Sequence, residues 1–321
     1  RGGVGADRED DARDVLARPG AGVAADALEE LGGDGLRGDG AAGLVRVFGA
    51  VVPVGPSGKR LNSSYKFRDT DAYKTELGNV IVNVARIVPD GLLVFFPSYG
   101  VMRACVEWWR ACGTPSIWER IESAKTCVVE PKTRDEFQRE FERFNAALDR
   151  GEGAAFFAVC RGKVSEGIDF ADKAGRAVVL TGIPYAPKAD AKVRLKRTFL
   201  DEKIASANAR RGGADVSAEN DVARRAAPVG PSDASSSGDL TGEAWYSQSA
   251  MRAVNQALGR VIRHKDDHGA VILCDERFGY GNVRAQLSTW LRPAVQPFDS
   301  FGRAAAKLSQ FQVVLRYPAT L

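Results

Sequence analysis

From Leu92 onward the chain alternates short, unbroken apolar runs with longer stretches of helical period. Leu92-Leu-Val-Phe-Phe96, Thr126-Cys-Val-Val129, Ala155-Phe-Phe-Ala-Val159, Ala177-Val-Val-Leu180 and Ala270-Val-Ile-Leu-Cys274 have strand length. Strands apolar at nearly every position are buried on both faces. Between them the pattern predicts helices over about 99–111, 133–148, 189–207, 245–264 and 283–291. Strands alternating with helices predict an α/β fold, a parallel sheet with helices on both faces. In such sheets ligands sit beyond the carboxyl ends of the strands.

Two regions break the pattern. Residues 1–42 are rich in Gly, Ala, Asp and Arg and read as a flexible or divergent segment ahead of a domain spanning 43–317. Gly33-Asp-Gly35-Leu-Arg-Gly38 spells a dinucleotide-loop pattern there, but no strand precedes it, so composition explains it. Gly212-Gly213, Pro228, Gly230-Pro231 and Ser235-Ser-Ser-Gly238 mark residues 211–243 as a disordered surface insertion.

Composition narrows the class. With 44% apolar and 27% charged residues the 321-residue chain is that of a soluble globular protein. A net charge of +4 permits nucleic-acid binding without arguing for it. Cys105, Cys112, Cys127, Cys160 and Cys274 are scattered, as reduced thiols of an intracellular protein are, and not as a disulfide, zinc or iron–sulfur framework. No apolar run approaches the roughly 20 residues of a membrane span, and no secretory signal is present. The chain opens on Arg1 without Met and reads as a piece of a longer protein.

Two segments carry candidate chemistry. On the predicted helix 245–264, Arg252, Gln256, Arg260 and Arg263 share one face, with Val254, Leu258, Val261 and Ile262 opposite. A solvated face usually mixes Lys with Glu or Asp, whereas this one holds only Gln and Arg. Grouped guanidinium forks suit phosphate oxygens. Gly259, at the edge of that face, would let a ligand approach the backbone. The second segment, Cys160-Arg-Gly-Lys163-Val-Ser165-Glu166-Gly167-Ile-Asp169-Phe170, follows a strand. It is either an ordinary turn or a loop whose amides, Lys163 and Ser165 hold phosphate oxygens.

These segments resemble motifs IV, V and VI of the iron–sulfur superfamily 2 DNA helicases of the xeroderma pigmentosum group D type. Leu92-Leu-Val-Phe-Phe-Pro-Ser98-Tyr99 is similar to motif IV, Arg161-Gly-Lys-Val-Ser-Glu-Gly-Ile-Asp169-Phe to motif V, and Gln256-Ala-Leu-Gly-Arg260-Val-Ile-Arg263-His to motif VI. Asn62-Ser-Ser, Gly182-Ile-Pro-Tyr185, Trp245-Tyr246 and Asp275-Glu-Arg277 extend the likeness. It implies a RecA-like second motor domain that closes over ATP and Mg²⁺ held mainly by a first motor domain. By position Arg263 is the arginine finger, Arg260 contacts the phosphates and Gln256 orients them. Glu166, Gly167, Asp169 and Gly259 face the nucleotide. Ser98, Tyr99, Lys163 and Ser165 face single-stranded DNA. The implied partners are single-stranded DNA and DNA junctions, in the nucleus, with 5′-to-3′ polarity. A non-catalytic nucleic-acid-binding module and an RNA helicase are the alternatives.

The phosphate loop, Asp-Glu-Ala-His box and four-cysteine cluster of that family belong to its first domain, and none is found in this chain. Gly55-Pro-Ser-Gly58-Lys59-Arg60 lacks the leading glycine and terminal hydroxyl of a phosphate loop and reads as a β-hairpin turn. Asp275 and Glu276 imitate a metal-binding strand end but are expected to pair with Arg277. His264 and His268 read as a helix-end pair, not a metal site. Trp108-Trp109 is a base-stacking platform or, more in keeping with its helical setting, core and interdomain packing.

Overall fold

The computed structural model describes residues 46–131, 133–162, 170, 172–212, 240–264 and 267–316. Residues 1–42 and most of the insertion lie outside them, as do Lys163, Ser165, Glu166, Gly167 and Asp169.

Among the described residues seven strands form one sheet. They are β1 (Val47–Val51), β2 (Gly91–Phe96), β3 (Thr126–Val129), β4 (Ala154–Val159), β5 (Ala177–Leu180), β6 (Gly269–Leu273) and β7 (Val295–Pro297). Their order is β3-β4-β2-β5-β6-β1-β7, and every adjacent pair is parallel. The α/β fold with a parallel sheet is as the apolar runs predict. The period-2 geometry of a strand divides each run between two cores. Leu92, Val94 and Phe96 of β2 face one, with Ala155, Phe157 and Val159 of β4. Leu93 and Phe95 face the other, with Ala154, Phe156 and Ala158.

The first face is covered by α1 (Asp71–Ile87), α2 (Tyr99–Ala111), α3 (Ile117–Glu122) and α8 (Phe301–Arg316), the second by α4 (Arg134–Asp149) and α6 (Gly242–Leu258). Helix α5 (Ala191–Gly212) packs along α6, where Asp201 accepts from Gly242 N–H at 2.8 Å. Starts are marked by hydroxyl caps: Thr70 accepts from Tyr73 N–H, Ser98 from Val101 N–H, and Ser116 with Glu119 closes a capping box.

Elements β1, α1, α3, β7 and α8 are not foreseen by the sequence reading. Helix α1 buries one face, Gly78 included. In the fold, a Cβ at Gly78 would come within 2.5 Å of Trp109 Nε1 and 2.7 Å of Ile117. The glycine therefore lets three helices close on one another. Trp109 is fully buried between Phe96 and Phe157, with its Nε1–H donated to Lys74 O at 2.6 Å. Trp108 donates to Thr75 Oγ1 at 3.0 Å and lies under the Lys74 ammonium. The tryptophan pair thus belongs to helix packing.

Three helix boundaries need correction. The helix predicted over about 189–207 runs on to Gly212 as α5, into the start of the predicted insertion. The helix predicted to reach His264 ends at Leu258, with Gly259 as C-cap. Arg260 N–H and Val261 N–H bond three residues back, to Ala257 O and Leu258 O, at 3.2 Å each. These tighter turns keep Val261 fully buried while the backbone leaves the helix axis, so the apolar period continues past the true end. The helix predicted over 283–291 is only the short α7 (Gly281–Arg284). Asn255 of α6 donates to Gln286 O and accepts from Ser288 N–H, both at 2.9 Å, and so diverts backbone groups from a helix.

Candidate nucleotide and nucleic-acid site

The sequence-predicted residues fall at opposite ends of the sheet. Ser98 and Tyr99 follow β2 at its carboxyl edge, where a ligand is expected. Arg260 and Arg263 lie at the other edge. Arg260 O packs against Gly175, just before β5, and Val261 packs against Gly269, the first residue of β6.

At the carboxyl edge Ser98 is the N-cap of α2 and accepts from Val101 N–H at 3.3 Å. Tyr99 donates its hydroxyl to Glu130 Oε1 at 2.9 Å. The other carboxylate oxygen accepts Val159 N–H, also at 2.9 Å. A Cβ on Gly162 would lie 2.7 and 2.8 Å from the same two oxygens. Glu130, 3% exposed, therefore fills the space beneath the start of the motif V segment and ties it to the motif IV tyrosine. Burial, followed by the charge of Glu130, pushes the Tyr99 phenol up to about 12, which keeps it a donor. Sequence reasoning misses Glu130. Its only signal is an acid placed one residue after the β3 run, at the ligand edge. Tyr99→Phe removes a partner from a buried carboxylate and is expected to cost roughly 1–3 kcal/mol in urea denaturation. An unchanged midpoint would show that this tie adds nothing.

The predicted Lys163, Ser165, Glu166, Gly167 and Asp169 lie outside the described residues, but their flanks are placed. Arg161, at φ +65°, donates to Ser249 O of α6 at 2.7 Å and to its Oγ at 3.2 Å. Phe170, fully buried against Phe141, Phe144 and Phe156, and the turn Asp172–Gly175 lead into β5. One flank thus stands at each edge of the sheet.

At the amino edge Gln256 is exposed on the last turn of α6. Gly259 has φ −64°, and an added Cβ would meet only Asn255 O at 3.4 Å and Gln256 O at 3.7 Å. Among the described residues nothing requires glycine there. Arg260 is half-buried and Arg263 exposed. Arg263 N–H donates to Asp267 Oδ2 at 3.0 Å. Asp267, only 2% exposed, accepts from Arg176 Nη1 at 2.9 Å and from His268 N–H at 2.9 Å through Oδ1. Arg176 also donates to His268 O at 2.8 Å. The backbone of Arg263 is thus anchored to a buried ion pair, and the residue as a whole is exposed.

The histidines do not form a helix-end pair, because the helix has ended before them. His264 Nε2 lies 3.1 Å from Asp172 Oδ1. His268 is half-buried, and burial, then Arg176, lowers its pKa. Ligand atoms of Asp172, His264 and Asp267 lie within 4.8 Å of one another. Both Asp267 oxygens are already engaged, and a cation there would have to displace Arg176.

The remaining acids are structural. Asp275, fully buried, accepts from Ser63 N–H, Ser63 Oγ and Arg277 Nη2 on Oδ2, and from Arg277 N–H and Nε on Oδ1. Magnesium does not fit an acid so fully occupied. Glu276 accepts from Asn62 at 2.7 Å. Residues 55–60 form a tight turn closed by a Val54–Arg60 bridge, with Gly58 at φ +80°, and Ser57 donates to Glu76. Four of the five free cysteines are buried, which pushes the Cys105, Cys127 and Cys160 thiols up to about 12. Among the described residues no cysteine joins a group able to hold a metal, so an iron–sulfur cluster does not fit this part of the chain. Nor is any described helix long and apolar enough to cross a membrane.

Residues 81–294 match the family model of the helicase C-terminal domain. The chain belongs to that family. Curated relatives include the regulator of telomere elongation helicase 1 homolog of Oryza sativa, 48% identical over 83% of this chain and 24% of its own length. The regulator of telomere elongation helicase 1 of Bos taurus is 44% identical over 83% of this chain and 20% of its own. The solved structure of an XPD helicase aligns over 79% of this chain and 35% of its own, at 19% identity and a TM-score of 0.46. The resemblance of motifs IV, V and VI to those of a helicase is borne out: this is a helicase C-terminal domain, with relatives among the regulators of telomere elongation helicase. The helicase domain spans a quarter or less of the length of these relatives.

Proposed function

We propose that this helicase domain is the second motor domain of an ATP-dependent DNA helicase, and that it supplies an arginine finger to ATP bound mainly on a first motor domain. The observation that carries the reading is Arg263, an exposed residue whose backbone is pinned to the buried Asp267–Arg176 pair. Stabilising charge on a transferring phosphoryl group requires a cation on a rigid base, already aimed before the chemistry. Arg260 and Gln256 stand beside it to contact and orient the phosphates, with Gly259, Glu166, Gly167 and Asp169 on the nucleotide side. Ser98, Tyr99, Lys163 and Ser165 belong to the nucleic-acid track. Following the family resemblance, magnesium is assigned mainly, and an iron–sulfur cluster wholly, to the first motor domain. Separated from that domain, the chain is expected to hydrolyse no ATP.

The names of the relatives favour a role at telomeres, and the family resemblance favours DNA, the nucleus, repair and recombination. The family resemblance favours 5′-to-3′ stepping. Strand separation by the full-length protein, with matched DNA and RNA duplexes bearing 5′ or 3′ tails, tests this. Unwinding of 5′-tailed DNA duplexes is the expected result. Unwinding of RNA alone moves the reading to an RNA helicase. Failure on every duplex, with an intact first domain, leaves a non-catalytic binding module.

A further inference from the structure

The turn between β1 and α1 carries a run that the proposed function does not use, Tyr65-Lys66-Phe67-Arg68. Tyr65 is 82% exposed and Phe67 42%. These rings cannot collapse onto the core, because their backbone is fixed. Phe67 and Arg68 N–H groups both donate to Ser64 O at 3.0 Å. Thr70 donates its N–H and hydroxyl to Phe67 O at 3.0 and 2.7 Å and then caps α1. At the other end Ser63 is held by the buried Asp275.

Each ring has a cation over it: the Arg68 guanidinium lies 5.1 Å from the Tyr65 centroid and the Lys66 ammonium 5.3 Å from that of Phe67. The location is also defined. A Cβ on Gly182 would collide with the Ser63 side chain and lie 3.3 Å from Pro97. Ser63 and Pro97 thus flank one glycine, so the turn starts, at Ser63, from the carboxyl edge of the sheet.

We propose that the Tyr65–Arg68 turn is a base-stacking contact for single-stranded nucleic acid, the two rings taking bases and the two cations taking flanking phosphates. The proposal rests on reading the chain as a helicase motor domain. Alternation of exposed π-faces with cations matches a polymer that alternates bases with phosphates. A protein partner would match the rings but has no need of a charge beside each. Asp69 lies 3.7 Å from Arg68 Nε, so Lys66 is the stronger phosphate group of the two.

The test uses full-length protein and fluorescence anisotropy with a fluorescent oligo-dT and an abasic strand of equal length, over a range of salt. The double variant Tyr65→Ala, Phe67→Ala is expected to bind oligo-dT about 10-fold or more weakly. The slope of log affinity against log salt should stay unchanged, as should binding to the abasic strand. Lys66→Ala with Arg68→Ala should instead flatten that slope, by about 0.7 per lost phosphate contact. Tyr65, Lys66 and Phe67 are exposed and Arg68 is half-buried, and a thermal melt confirms that each variant is folded. If the ring variant binds oligo-dT like wild type, or loses equally on the abasic strand, the proposal is overturned and the turn becomes a protein contact. Wild-type protein that binds no strand at all overturns the helicase reading itself, a separate result.

Discussion

Arg263→Ala in the full-length helicase should lower DNA-stimulated ATP turnover by about 10³-fold or more while ATP still binds. The expectation comes from how the residue is held. The residue lies on the exposed surface of the domain, and its amide is bonded to Asp267 at 3.0 Å. Asp267 is itself locked by Arg176 and His268. The backbone from which the side chain springs is therefore set before the nucleotide site closes, so the charge can act on the transition state more than on bound substrate. Arg263→Lys should recover only a small part, because an ammonium lacks the planar fork that matches phosphate oxygens. Nucleotide affinity and turnover must be measured separately. If turnover of Arg263→Ala stays within a few-fold of wild type, the Gln–Arg surface is structural or binds DNA, and the non-catalytic reading becomes the better one.

The second large effect is on stability. Asp267→Ala leaves the Arg176 guanidinium, whose side chain is only 11% exposed, without its carboxylate. Removing one partner of a buried pair costs roughly 3–5 kcal/mol, because the other charge stays desolvated. The loss should appear as a lower urea midpoint with an unchanged slope. Arg176→Met with Asp267→Ala should recover part of it by removing the stranded charge. A shift of Asp267→Ala below about 1 kcal/mol would mean that water reaches Arg176 and that the anchor beneath Arg263 is soft.

Much of the frame was legible because it depends on local composition. Unbroken runs such as Leu92–Phe96 and Ala155–Val159 have no amphipathic reading, so they must be interior strands, and their parallel pairing follows. Hydroxyl caps such as Ser98 sit directly before helices. What was not legible depends on contacts between distant segments. The end of α6 cannot be read from Leu258 and Val261, since both remain apolar and buried whether the helix continues or tightens. The α7 region was misread because Asn255, some thirty residues upstream, takes its backbone groups. Glu130 was missed for the same reason: its partners Tyr99 and Val159 meet it only across the sheet. Motif VI could be found by residue type and order, but its placement at the amino edge, away from Ser98, could not.

Helix α6 joins these two edges. Ser249, in its first half, receives Arg161 from the motif V side, and Gln256, in its last turn, leads into Arg260 and Arg263. The helix is therefore a phased shaft roughly 25 Å long, from its 17 residues at 1.5 Å each. One residue added or deleted between Ser249 and Gln256 would turn one end against the other by roughly 100° and move it 1.5 Å. Every side chain could be kept and the arginines would still point elsewhere. For this stretch the count of residues is as much a part of the design as their identity.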